Sequence, residues 1–158
     1  MDENDKYCAA LVREADRDRY LAALFAPAGR RGALFSLYAF DIEISRIRDL
    51  AREPMPGEIR LQWWREVLEG QRAGEAAANP VAASLLATLA RNRLTATKLI
   101  ALVEAHRFDI YDEPMPTLAA LQSYALNTAG AIFDCATRLL GEASEENAIE
   151  AGQVQTIA

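Results

Sequence analysis

Residues 30–44 read Arg30-Arg31-Gly32-Ala33-Leu34-Phe35-Ser36-Leu37-Tyr38-Ala39-Phe40-Asp41-Ile42-Glu43-Ile44. Leu34, Leu37, Tyr38 and Ile44 recur at three- and four-residue spacing, the period of a helix with one apolar face. The pattern predicts a helix over 30–52. Glu53-Pro54-Met55-Pro56-Gly57 ends it, because two prolines and a glycine cannot continue a helical ladder.

The same period extends outward in both directions. Upstream, helices are predicted over 4–15 and 17–25, with Asp16 as the N-cap of the second. Downstream, a helix over 58–72 carries Ile59, Trp63 and Val67 on one stripe. Residues 74–79 read as a loop. Asn79-Pro80 is an N-cap followed by proline at the first helical position, and it opens a helix reaching about residue 91. Thr95 is placed to cap a helix over 96–111. Pro114-Met115-Pro116 breaks the chain, and Thr117 caps a seventh helix running to Leu140, where Gly141 is a suitable stop. Ser144 starts an eighth helix, with Glu142, Glu145, Glu146 and Glu150 as a solvated acidic start. No strand alternation, internal repeat or low-complexity segment occurs. The fold class is all-α, an antiparallel helical bundle. It reads as a single domain over 1–158 with no linker. The last helix lacks a C-cap, so the domain is expected to continue past Ala158.

The bulk composition narrows the function. The chain has 158 residues and a net charge of −6. A surface that neutralises phosphates needs clustered basic residues, so nucleic acid is not an expected partner. No run of about 18 apolar residues is present, so no transmembrane segment is expected. The N-terminus has no signal-peptide pattern, and a cytoplasmic location is expected. Cys8 and Cys135 lie in apolar helical patterns and read as small core residues.

Four short motifs occur in order. Arg31-Gly32-Ala33 leads to Tyr38-Ala39-Phe40. Arg60-Leu61-Gln62-Trp63-Trp64 follows, then Tyr124-Ala125-Leu126-Asn127-Thr128-Ala129-Gly130, then Gly152-Gln153-Val154-Gln155. Together they resemble the squalene/phytoene synthase family, in its R-x-A-x-x-x-x-Y-x-F, R-L-x-W-W and Y-x-x-Y-V-A-G elements and the start of its second aspartate-rich helix. The resemblance implies the front part of an isoprenoid-synthase-like fold. Family enzymes join two prenyl diphosphates head to head in isoprenoid biosynthesis. Mg²⁺ ions held by aspartates on two facing helices neutralise the departing diphosphate.

This sequence departs from that pattern at the residues the chemistry needs. The first aspartate-rich motif falls on Ser45-Arg46-Ile47-Arg48-Asp49, where Asp49 alone keeps a carboxylate and is the one weak candidate for a metal. Asp41 shares the face, but it stands two turns, about 12 Å, from Asp49. The tyrosine that assists the chemistry corresponds to Asn127, which hydrogen-bonds but is no phenol acid. By family position Arg31, Tyr38, Ser45, Arg46, Tyr124 and Asn127 are the substrate-binding candidates. Arg46 either pairs with Glu43 and Asp49 at helical spacing or binds phosphate directly. His106 and Asp109 share a face and read as structural, since zinc needs more ligands. Of the adjacent Trp63 and Trp64, one is expected in the core and one at an edge.

The departures lead to two expectations. One is a catalytically inactive member that binds a prenyl-type ligand or a protein partner. It resembles the branch whose mitochondrial members are respiratory complex I assembly factors, in which Phe40-Asp41-Ile42-Glu43 has its counterpart. No cofactor is expected on this reading. The other is an active prenyltransferase that uses Mg²⁺ and whose remaining helices follow this stretch. An incomplete bundle leaves apolar faces open, so a homo-oligomer or a protein partner is expected.

Overall fold

A computed structural model describes residues 1–51, 53–111 and 113–141. The eighth helix, its acidic start and the fourth motif at 152–155 lie outside the described residues. Among the described residues every regular element is helical. In chain order they are α1 (Glu3–Ala15), α2 (Arg17–Leu24), α3 (Ala28–Ser45), α4 (Ile47–Leu50), α5 (Pro54–Leu68), α6 (Ala73–Ala78), α7 (Pro80–Asn92), α8 (Thr97–Ala105), a 3₁₀ turn (Phe108–Ile110), α9 (Leu118–Ala125), a π turn (Leu126–Gly130) and α10 (Ala131–Leu140). The all-α expectation holds.

Helix α3 is the central element. It packs against α1, α7 and α10, and α1 also packs on α7. Its interior face is large and apolar: Phe35, Leu37, Phe40 and Ile44 are fully buried. Two buried polar contacts fix the register of this core. The Ser36 hydroxyl donates to Thr88 Oγ1 at 2.9 Å, joining α3 to α7. The Ser84 hydroxyl donates to Asp5 Oδ1 at 2.7 Å, joining α7 to α1. Asp5 also closes the capping box of α1 with Asp2. Gly32 lets α3 approach this carboxylate, since a Cβ there would stand 2.8 Å from Asp5 Oδ2. Cys8 and Cys135 are buried free thiols, and burial pushes each up to about 11.

Three of the expected N-caps form, but Thr95 does not: α8 begins at Thr97 with Ala96 at its N-cap position and no side-chain cap bond. Asp16 accepts the Arg19 amide, Asn79 accepts those of Val81 and Ala82, and Thr117 accepts that of Ala120. Gly141 ends α10 at φ 89°.

Five further local readings need correction. The helix expected over 30–52 stops at Ser45, whose hydroxyl donates to the Asp41 carbonyl at 2.7 Å. Such back-bonding bends helices, and the chain resumes as the short α4. The helix expected over 58–72 begins at Pro54, because a first-turn proline has no needed N–H to lose. It ends before Gly70, which takes φ 80°. The stretch expected as a loop is α6: an alanine run is an excellent helix former, and Arg72 ties Glu66 to Glu75 across its start. The buried stripe of α5 is Leu61, Trp64 and Val67, whereas Ile59 is 64% exposed. The helix expected over 96–111 ends at Ala105, and the 3₁₀ turn follows.

Asp134 anchors α10. Burial opposes its ionisation, but hydrogen bonds to Lys98 and Arg138, each at 2.9 Å, hold its carboxyl below the usual carboxylate range. A depressed folded-state pKa contributes stability above the unfolded value, near 4, and loses it as pH falls through the folded value. Asp134→Asn is therefore expected to cost about 1–2 kcal/mol at pH 7. In urea titrations from pH 7 to 2, the gap between wild type and variant should close on the acid side. A gap that persists at pH 2 contradicts the assignment.

Candidate functional site

Arg31, Tyr38 and Ser45 are seven residues apart, so they form one stripe along α3. Asp41 stands between Tyr38 and Ser45 on the same side. Arg31 is half-buried near the helix start, where its Nε donates to the Ala26 carbonyl at 2.9 Å. Tyr38 is half-buried under the Arg19 guanidinium, 5.4 Å from its ring centroid. Burial pushes the Tyr38 phenol up, with the Arg19 charge opposing.

Asp41 does not stand open. Arg19 of α2 donates to it at 2.5 Å, and the two side chains are 20% and 14% exposed. Ser45, one turn on, is exposed, and its hydroxyl is committed to the backbone. Asp49 lies on α4 and is also exposed.

A second cluster forms around Tyr124 of α9. The Tyr124 hydroxyl donates to Asp109 Oδ2 at 2.7 Å, and His106 Nδ1 meets the same oxygen at 2.6 Å. The His106 and Phe108 rings both pack edge-on against Tyr124. Burial pushes the Tyr124 phenol up strongly, and the hydrogen bond and charge of Asp109 push it further. The charge of Asp41 adds to the same shift. A phenol held this firmly protonated is a hydrogen-bond donor and not a base near neutral pH. His106 is buried in this packing, in keeping with its structural reading.

Asn127 lies in the π turn, half-buried. The seventh helix was expected to be continuous. Instead the Thr128 hydroxyl donates to the Tyr124 carbonyl at 2.8 Å, and the ladder widens for one turn. Such π turns often occur at functional sites. Arg46 is on the other side of α3, lining a cavity with Glu43, Arg60 and both tryptophans. Among the described residues it pairs with neither Glu43 nor Asp49. Of the two tryptophans, Trp64 is the core member at 4% exposure. Trp63 is the edge member, its Nε1 donating to Glu75 at 2.8 Å.

These residues fit a magnesium cluster poorly. A hard dication needs several open carboxylate oxygens converging on one point. Asp41 is neutralised by Arg19, Ser45 stands where the next carboxylate would be, and Asp49 is two turns away. No group of three or more potential ligands converges among the described residues. Arg19 was not anticipated, since nothing local links residues 22 apart in sequence. Asp109 was noticed through its spacing from His106, but its bond to Tyr124 was not foreseen. No helix among the described residues is long and apolar enough to cross a membrane.

Comparisons with known proteins agree with this architecture. The squalene/phytoene synthase profile matches residues 12–157. NADH dehydrogenase (ubiquinone) complex I, assembly factor 6 from Homo sapiens is 30% identical over 137 residues, which is 87% of this chain and 41% of that protein. Its Bos taurus counterpart is 29% identical over 137 residues, with the same coverage. The chain thus spans about two fifths of the length of these relatives. On its motifs, its helical order and a match over nearly its whole length, the chain belongs to the squalene/phytoene synthase family.

Proposed function

We propose that the chain is a non-catalytic member of the family, which binds a protein partner in an assembly-factor-like role or holds a prenyl-type ligand without converting it. The observation that carries this reading is the Arg19–Asp41 pair. An enzyme of this class needs several open carboxylates for metal; Asp49 alone keeps one at the motif positions, and Asp41, which shares its face, is already compensated by a guanidinium. Asn127 at the assisting-tyrosine position supports the same reading. The names of the relatives supply the partner class, since they describe assembly factors.

The apolar side chains left open on α2 and α9 suit such a partner or a second copy. Phe25 is 91% exposed, and Leu21, Leu24 and Leu118 are exposed with it. A cytoplasmic location is part of the proposal.

The test is a turnover assay on the natural protein. With farnesyl or geranylgeranyl diphosphate and Mg²⁺, diphosphate release should not exceed the protein-free rate. Release above that rate, abolished by Asp49→Asn, would establish the prenyltransferase instead.

A further inference from the structure

A cavity of about 410 Å³ opens on the side of α3 away from Asp41. Glu43, Arg46, Ile47 and Leu50, on the end of α3 and on α4, line one wall. Arg60, Trp63 and Trp64 of α5 line the other, and Asn79 closes it. Its size is in the range of small-molecule sites.

Two arginines of this cavity stand without an ionic partner among the described residues, unlike several others in the chain. Arg19, Arg65, Arg72 and Arg107 are all engaged by carboxylates. Arg46 and Arg60 are exposed, and among the described residues neither makes a hydrogen bond or ion pair. In a protein of net charge −6, two open guanidiniums thus share one concavity. Glu43 faces them without pairing to either, which leaves the lining one charge positive. Asn79 contributes a further donor. Its Oδ1 is occupied by the Val81 and Ala82 amides, both at 3.0 Å, so its amide nitrogen is the group left over.

The apolar wall is held in place. Trp64 is packed edge-on between Phe40 and Trp63, each at 5.1 Å between ring centroids. The Trp63 ring is tethered through Nε1 to Glu75. Ile47 and Leu50 complete a surface that would cover a compact apolar group. Guanidinium forks recognise planar or tetrahedral anions, and a fixed aromatic wall recognises the body attached to them.

We propose that this cavity binds a small amphiphilic anion: a carboxylate or phosphate monoester head held by Arg46 and Arg60, with a compact apolar group against Trp63 and Trp64. The site is separate from the Arg31–Tyr38–Ser45 stripe and does not depend on the function proposed above.

The chain has two tryptophans, and both line the cavity. Intrinsic fluorescence therefore reads this site directly. The probes are cyclohexyl phosphate and cyclohexanecarboxylate, whose relative affinities distinguish the two head groups. At least one should change tryptophan emission saturably and shift both indole N–H cross-peaks in an NMR titration. Arg46→Gln and Arg60→Gln should each weaken binding roughly tenfold, while the exposed control Arg91→Gln should not. Cyclohexanol and inorganic phosphate, each offering half of the recognition, should bind at least about tenfold more weakly. Three results would overturn the proposal: no saturable response to either probe, undiminished binding in both arginine variants, or equal binding of a half-probe. Circular dichroism confirms the fold of each variant. If a variant fails to fold, the wild-type cross-peaks decide alone, and indole signals that do not move refute the site.

Discussion

Phe40→Ala is expected to lower the unfolding free energy by about 3–5 kcal/mol, the cost of deleting a phenyl ring from a packed core. Phe40 has no exposed surface, and its ring meets Trp64 edge-on at 5.1 Å. It lies where α3, the helix that most others touch, meets α5. The gain in helix propensity on going to alanine is below about 1 kcal/mol and does not offset the cavity. Domains of this size have roughly 5–15 kcal/mol in total, so the variant should be marginal at 37 °C. Urea unfolding followed by circular dichroism measures the loss. A loss under about 1 kcal/mol would mean that α3 is not the centre of the core.

The second large effect concerns the pair that closes the candidate site. Arg19→Met should destabilise the fold by about 2–3 kcal/mol, somewhat below the cost of breaking a fully buried pair. It leaves the Asp41 carboxylate uncompensated beside Tyr38. It also removes the cation over the Tyr38 ring. Adding Asp41→Asn should recover more than half of the loss, because the stranded charge, and not the missing side chain, is the larger cost. Losses that simply add in the double variant would show that the two residues are not coupled.

The contrast between these sites shows what the sequence made legible. Phe40 was readable because its signal is local: a helical period with a large apolar residue on the inner face. The caps at Asp16, Asn79 and Thr117 were readable for the same reason. So were the motif positions Arg31, Tyr38 and Tyr124, which carry the family resemblance. Arg19 was not, since its partner lies on another helix and only the packing of α2 against α3 brings them together. At the break at Ser45 and in the π turn at Asn127, single hydroxyls, those of Ser45 and Thr128, donate to backbone carbonyls one turn back. Periodicity does not register such bonds. Helix α6 was misread because Gly74 and a short alanine run look like a linker until Arg72 ties them down. For Trp63 and Trp64, adjacency implied that one faces inward, but the side of α5 that meets the core depends on where α3 lies.

The account depends on the state of the acidic positions along α3 and α4. The direct measurement is an anomalous-scattering map from crystals of the natural protein grown with Mn²⁺, in place of Mg²⁺, and a non-hydrolysable farnesyl thiodiphosphate. Asp41 should remain on Arg19, with no metal ion within coordination distance, about 2–2.5 Å, of Asp41 or Asp49. Two or more ions bridging those carboxylates to the diphosphate, with Arg19 displaced, would contradict it.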